Sequence, residues 1–165
     1  RRQRQMCIRD SITTNTPTAS NPGADECPGT NDQARTTSNH PPTLADTLVI
    51  FGCRYQAKDC LYGAEWNQWA TTSHANLTYV VAASRDQPEK VYVQHRIREN
   101  GARIWDILGP RRGIAYLCGT SGKMPEQVKQ SIVDVFVEHG HMNVDQAVRY
   151  LSTLETERRW QEECW

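Results

Sequence analysis

The sequence lacks the long apolar runs that membrane-spanning proteins need. No stretch of about 18 apolar residues occurs in the 165 residues, so no transmembrane helix is predicted. The basic start RRQRQMCIRDS is not followed by the apolar stretch of roughly 7–15 residues that a secretory signal requires. The net charge is zero, with 19 basic and 19 acidic residues, and therefore does not indicate nucleic acid or a membrane surface as a partner.

Paired cysteine motifs are also missing. The six cysteines form no CxxC pair, and without a signal peptide we interpret them as reduced thiols in the cytosol. His139 and His141 flank a glycine that ends a predicted helix, but no third ligand lies at a suitable spacing. We therefore predict no metal site.

The first third of the chain is poor in large apolar side chains. Its first aromatic residue is Phe51, and the preceding part is rich in Thr, Asn, Pro, Ser and Gly. Such a segment buries too little apolar surface to offset its ordering entropy. We therefore predict a disordered or low-complexity segment over residues 1–43 and one domain over 44–165. The basic start fits no structural pattern, and an artefact of sequence assembly is one interpretation of it.

From residue 44 onward, short apolar runs alternate with amphipathic segments. The patterns predict strands at 48–53, 77–84 and 113–119, and helices at 64–70, 94–108, 125–140 and 144–158. Pro125 is placed at the first position of its helix, and Asn143 is predicted to cap the last one. Trp66, Trp69 and Trp105 lie at helical spacing and are predicted to be core residues. This order predicts an α/β fold with a parallel, doubly wound sheet covered on both faces.

Polar residues follow two of the predicted strands at the point where each strand ends. In open α/β sheets ligands bind beyond the carboxyl ends of the strands, where Ser84-Arg85 and Cys118-Gly119 are expected. A dinucleotide across the two would have its phosphorylated ribose at the first and its nicotinamide near the second. The first strand end lacks the acidic residue that usually holds an unmodified ribose, and its Ser-Arg pair suits a 2′-phosphate. Asp86 is assumed to point away.

Several motifs together resemble a known family. FGCR at 51–54, SRxxxxKVYVQ at 84–94, YLCG at 116–119 and the aromatic C-terminus occur in this order. They resemble the NADP-binding lobe of the ferredoxin–NADP reductase superfamily, in the diflavin branch that includes cytochrome P450 reductase. The resemblance covers roughly residues 47–165. FGCRYQAKDCLYGAEW and RRWQEECW look most like the NADPH-dependent diflavin oxidoreductases of cytosolic iron–sulfur protein assembly.

The resemblance implies a set of cofactor-binding residues. They are Ser84, Arg85, Lys90, Val91, Tyr92, Val93, Gln94, Gln127 and Trp165. Among them Ser84, Arg85 and Lys90 would hold the 2′-phosphate of NADPH, and Tyr92 would stack on the adenine. Gln127 stands where the family usually has Asp, which leaves its role open.

The resemblance also implies a reactive end of the site. Cys118 would stand close to the nicotinamide carbon that gives up hydride, and Glu163 would balance charge during the transfer; these two are the predicted catalytic residues. Trp165 would lie over the flavin ring. Without the resemblance, Cys118 is a small buried apolar residue and Trp165 a frayed end.

A diflavin oxidoreductase passes electrons from NADPH through FAD and FMN to a protein acceptor, here expected to be an anamorsin-like iron–sulfur protein in the cytoplasm. The family's pyrophosphate-binding PGTG and VAPF segment is absent, because Pro28-Gly29-Thr30 is followed by Asn31 and no apolar run. The flavin domains are absent too, so the chain looks like a C-terminal fragment that is inactive by itself. The alternatives are a fragment of an NADPH–cytochrome P450 reductase and a non-catalytic NADPH-binding module.

Overall fold

The computed structural model describes residues 4–9, 45–72 and 76–165, which form five strands and six helices. In chain order these are β1 (Arg4–Arg9), β2 (Thr47–Cys53), α1 (Gln56–Asp59), α2 (Gly63–Thr71), β3 (Leu77–Ala83), α3 (Val93–Glu99), α4 (Gly101–Leu108), β4 (Ile114–Gly119), α5 (Lys123–Gly140), α6 (Val144–Thr156) and β5 (Trp160–Cys164). The three predicted strands agree with β2, β3 and β4 to within one residue at each end. Strand β5 was not predicted, because its charged sequence WQEEC has little apolar content.

The five strands form one sheet in the order β3-β2-β1-β4-β5. The outer pairs, β2 with β3 and β4 with β5, are parallel, whereas β1 runs antiparallel to both of its neighbours. Strands β2, β3, β4 and β5 therefore all point the same way, and their carboxyl ends share one edge of the sheet. The predicted α/β fold is confirmed, and the sheet differs from the predicted parallel one in having the antiparallel strand β1 at its centre.

Strand β1 also corrects the prediction of disorder for the first residues. Arg4–Arg9 lies between β2 and β4 and pairs with both along its length. Without a strand in this position, two inner strands would each leave a row of backbone N–H and C=O groups unpaired. The remainder of the segment predicted to be disordered, residues 1–3 and 10–43, lies outside the described residues, as does Pro28-Gly29-Thr30.

The helix boundaries differ from the predictions in two places. Helix α5 begins at Lys123, so Pro125 takes its third position rather than its first. The helix predicted over 94–108 is divided at Asn100, whose ψ of 18° departs from helical geometry. The predicted cap of α6 is confirmed, because the Asn143 side chain accepts a hydrogen bond from the Gln146 amide at 2.9 Å.

Helices α3 to α6 pack together on one face of the sheet. Val80 and Ala82 of β3 contact the core on this side, where Ile97, Ile132 and Phe136 are completely buried. The burial of these side chains is the main favourable contribution to folding. Among the described residues, no helix combines the length and apolarity needed to cross a membrane.

The opposite face of the sheet is covered unevenly. At β3, Trp66 of α2 stacks on Tyr79 with ring centroids 5.6 Å apart. Trp69 is 52% exposed, so the prediction that it is a core residue was wrong. At the other end of the sheet, Tyr116 of β4 remains 37% exposed and Glu163 of β5 is exposed. Among the described residues, the side of β4 and β5 that carries Tyr116 and Glu163 is thus the open face of these two strands.

Candidate functional site

A cleft of about 360 Å³ lies at the carboxyl edge of the sheet, beside the ends of β2 and β3. Six of the nine predicted cofactor-binding residues line it. They are Ser84, Arg85, Lys90, Tyr92, Val93 and Gln94. The cleft thus lies at the sheet edge where the strand-end rule predicts a ligand.

Backbone pairing continues past the ends of β2 and β3 and holds the first residues of the cleft. The Ser84 amide and hydroxyl both donate to the Cys53 carbonyl oxygen, at 3.0 and 3.2 Å. The Arg85 amide donates to the Arg54 carbonyl oxygen at 2.8 Å. These bonds fix the backbone from which the Ser84 and Arg85 side chains extend, and the hydroxyl can rotate to donate to a ligand instead.

The loop after β3 is also stabilised by its own side chains. The Gln87 amide nitrogen donates to the carbonyl oxygens of Ala83 at 2.7 Å and Glu89 at 2.9 Å. The Asp86 carboxylate accepts a hydrogen bond from the Gln56 amide at 2.9 Å, at the start of α1. Asp86 was assumed from the sequence to point away from the ligand, and it does not line the cleft.

Positive charge is concentrated in the cleft. Arg54, Arg85 and Lys90 line it, and none of the three forms an ion pair with another described residue. By contrast, Arg98 pairs with Asp134 at 3.1 Å. Among the described residues that line the cleft, none is acidic. Three cations around one cleft, unpaired within the described part of the chain, suit a phosphorylated ligand.

An aromatic ring stands at the side of the cleft. Tyr92 is 38% exposed, and its ring stacks on that of His95 with centroids 6.0 Å apart. The Tyr92 amide donates to His95 Nδ1 at 2.9 Å, which fixes the relative position of the two residues. The supported ring offers a stacking surface for a flat heterocycle.

Two predicted residues lie behind the cleft. Gln127 does not line it, but its side-chain oxygen accepts a hydrogen bond from the Gln94 amide group at 2.8 Å. The Val91 side chain packs against the hydrophobic core. Gln127 therefore contacts a residue of the cleft without lining it, and Val91 contributes packing.

The three remaining predicted residues meet at the ends of β4 and β5. Cys118 is directly opposite Glu163 in the parallel ladder. Burial, with a smaller contribution from the Glu163 carboxylate, raises the pKa of the Cys118 thiol. Trp165 is 54% exposed, while its amide donates to Gly119 at 3.1 Å and its carbonyl oxygen accepts from Ser121 at 2.8 Å. The backbone of the chain end is thus fixed, and its indole is accessible.

The sequence reasoning missed several residues of the site. Arg54, Thr120 and Met124 line the cleft, and His95 supports Tyr92. Arg54 directly follows β2, so the strand-end rule, applied to FGCR, would have identified it. Thr120 lies two residues beyond Cys118 and thereby connects the cleft to the Cys118 end of the site.

Residues 33–130, more than half of the chain, match the family described as the oxidoreductase NAD-binding domain. The chain belongs to this family. The resemblance to the NADPH-binding lobe of diflavin reductases is likewise confirmed, because relatives at 32–38% identity are diflavin oxidoreductases and cytochrome P450 reductases.

Relatives of known name cover most of the chain. It is 38% identical over 117 residues to NADPH-dependent diflavin oxidoreductase 1 of Xenopus laevis, an alignment that covers 71% of this chain and 19% of that protein. It is 34% identical over 122 residues to NADPH–cytochrome P450 reductase of Musca domestica, covering 74% and 18%. It is also 34% identical over 122 residues to NADPH-dependent diflavin oxidoreductase 1 of Schizosaccharomyces pombe, an alignment that covers 74% of this chain and 20% of that protein. The chain thus spans about a fifth of the length of these relatives.

Proposed function

We propose that this domain binds NADPH and presents its nicotinamide for hydride transfer within a diflavin oxidoreductase. One observation carries the choice of NADPH: Ser84, Arg85 and Lys90 converge on a cleft that no acidic residue lines among those described. An acidic residue at this strand end would hold an unmodified ribose, whereas cations that form no ion pair with a described residue favour a 2′-phosphate. The names of the relatives support the same nucleotide.

The other residues of the site fit the rest of the nucleotide. The Tyr92 ring, which stacks on His95, would stack on the adenine, and Gln94 would contact the nucleotide while it donates a hydrogen bond to Gln127. Cys118 and Glu163 lie beyond the cleft on the open face of β4 and β5, where they would flank the nicotinamide. The bound dinucleotide would supply the hydride, while these residues orient it and balance charge. A module that only binds NADPH does not need a thiol and a carboxylate beside the nicotinamide. The pair of Cys118 and Glu163 therefore supports an oxidoreductase.

We further propose that the hydride enters an electron path through FAD and FMN to a protein acceptor. The relatives named NADPH-dependent diflavin oxidoreductase 1 support the diflavin class. The acceptor that we propose, an anamorsin-like iron–sulfur protein of the cytoplasm, rests on the resemblance of the motifs FGCRYQAKDCLYGAEW and RRWQEECW. The relatives named NADPH–cytochrome P450 reductase support that enzyme class as the second candidate.

Isothermal titration calorimetry with 2′,5′-ADP and 5′-AMP tests the nucleotide assignment on the chain itself. Two or three charge-assisted hydrogen bonds of roughly 1.5–3 kcal/mol each favour the ligand with the 2′-phosphate by about a hundredfold or more. Equal affinity for the two ligands would refute the assignment of Ser84, Arg85 and Lys90.

A further inference from the structure

The Lys129 ammonium group of helix α5 forms ion pairs with helix α6 and with the last strand, β5. Lys129 of α5 contacts Glu155 of α6 and Glu162 of β5, in each case with Nζ 2.7 Å from Oε1. The same Glu162 oxygen accepts a hydrogen bond from the indole nitrogen of Trp160 at 2.5 Å. Two donors from different directions therefore hold the Glu162 carboxylate. None of the residues in this group lines the cleft.

Strand β5 needs side-chain contacts such as the one between Lys129 and Glu162, because it lies at the edge of the sheet. It has five residues, and among the described strands it pairs with β4 alone. Glu162 alternates with Glu163, so the two side chains leave opposite faces of the strand. Trp160, on the Glu162 side, is 5% exposed and belongs to the core beneath the helices, whereas Glu163 lies on the open side with Cys118.

We propose that Lys129 is a positioning residue for Glu163: by holding Glu162 on the helix side of β5, it keeps Glu163 opposite Cys118 on the other side. The inference rests on the proposed function only for the importance of Glu163 to hydride transfer. A turn of β5 about its axis, or its separation from β4, would move both glutamates together, because successive side chains are coupled through the strand backbone.

The charge state of Lys129 agrees with this role. Burial lowers the pKa of its ammonium, but the hydrogen bonds to Glu155 and Glu162 outweigh burial and raise it. Lys129 is therefore charged throughout the neutral range. Its side chain is 32% exposed and that of Glu162 is 28% exposed, so solvent screens this ion pair less than a fully exposed one.

The test measures the environment of Cys118 on the full chain without nucleotide. The rate of Cys118 alkylation by iodoacetamide is followed between pH 6 and 10 by peptide mass spectrometry, which separates it from Cys164. In Glu163→Gln the negative charge opposite Cys118 is lost, so thiolate forms more readily and alkylation near neutral pH should be about two- to fivefold faster. If Lys129 acts through Glu163, Lys129→Met should accelerate alkylation to a similar extent.

The direction of this change separates positioning from a direct electrostatic effect. Removal of a cation by itself disfavours a thiolate and would slow alkylation. Acceleration in Lys129→Met therefore reports displacement of Glu163. Lys129→Arg, which keeps the charge and the donors, should restore the original rate, and the double variant with Glu163→Gln should be no faster than Glu163→Gln alone.

Arg98→Met is the matched control, because it breaks an ion pair to Asp134 of α5 without touching β5. It should leave Cys118 alkylation unchanged. Slower or unchanged alkylation in Lys129→Met, or additive acceleration in the double variant, would overturn the inference. So would an unchanged rate in Glu163→Gln. The calorimetry with 2′,5′-ADP and 5′-AMP is independent of these rates, so a failure of the proposed function can be told apart from a failure of this inference.

Discussion

Cys118 and Glu163 are direct partners in the parallel ladder between β4 and β5. The two residues are 45 positions apart in sequence. Cys118 is the fifth residue of β4, and Glu163 is the fourth residue of β5. Their pairing puts a thiol and a carboxylate on the same open face, just beyond the cleft that Ser84 and Arg85 line. The cleft and the Cys118–Glu163 pair therefore share one edge of the sheet.

The cations of the loop after β3 should discriminate between ligands. We expect Arg85→Ala or Lys90→Ala to weaken 2′,5′-ADP binding by about tenfold or more, because each removes a charge-assisted hydrogen bond. Binding of 5′-AMP should change by less than about twofold. Calorimetry measures both affinities. Lys58→Ala is the control, since its ammonium lies 5.3 Å above the Tyr55 ring and does not line the cleft. An equal loss for both nucleotides would mean that these cations do not contact the 2′-phosphate.

Arg54 should contribute to binding although the sequence reasoning missed it. It lines the cleft and forms no ion pair with a described residue, so its removal costs no native contact of that kind. We expect Arg54→Ala to weaken 2′,5′-ADP binding by about three- to tenfold while the melting temperature stays unchanged. Arg54→Lys should retain part of the affinity, because it keeps the charge but not the planar donors. An unchanged dissociation constant in Arg54→Ala would show that the guanidinium does not reach the ligand.

His95 should affect nucleotide binding through Tyr92. Its ring stacks on Tyr92, and its Nδ1 accepts the Tyr92 amide proton. His95→Ala removes both supports, and we expect it to weaken 5′-AMP and 2′,5′-ADP binding by a similar factor of about three to five. A larger effect on 2′,5′-ADP would contradict this explanation, because the support acts on the adenine end. Fluorescence-detected titration of both nucleotides provides the two factors.

Alkaline pH should destabilise the fold through Cys53. Burial, with smaller contributions from Cys60, Asp86 and Asp59, raises the pKa of the Cys53 thiol from 9.0 to about 11. A group whose pKa is higher in the folded state contributes stability that is complete below its unfolded pKa and is lost as pH rises to the folded value. We therefore expect the free energy of unfolding, measured with urea, to fall between about pH 9 and pH 11.

The Cys53→Ala variant isolates this contribution. It should show a smaller fall over the same pH range, although it starts from lower stability at pH 8 because a partly buried side chain has been shortened. Burial and the hydrogen bond with Cys60 also raise the pKa of Tyr79, so some alkaline destabilisation should remain in the variant. An identical pH dependence in both proteins would exclude Cys53 as a source.

Local patterns in the sequence determined most of the elements and one end of the site. The apolar runs at 48–53 and 77–84 and the cap at Asn143 are properties of neighbouring residues, so they could be recognised without the fold. Ser84 and Arg85 line a cleft at the edge that the sequence indicated, because a strand end is a local feature and parallel strands bring their ends to one edge.

The tertiary structure decided what depends on distant residues. The insertion of Arg4–Arg9 between β2 and β4, the contact of Lys129 with Glu162 and the pairing of Cys118 with Glu163 all join segments far apart in the chain. No local pattern encodes them, because strand register and side-chain contact follow from how the whole core packs. The short charged strand β5 is the clearest case. Its sequence does not predict a strand, and its pairing with β4 and its contacts with α5 and α6 stabilise the extended conformation.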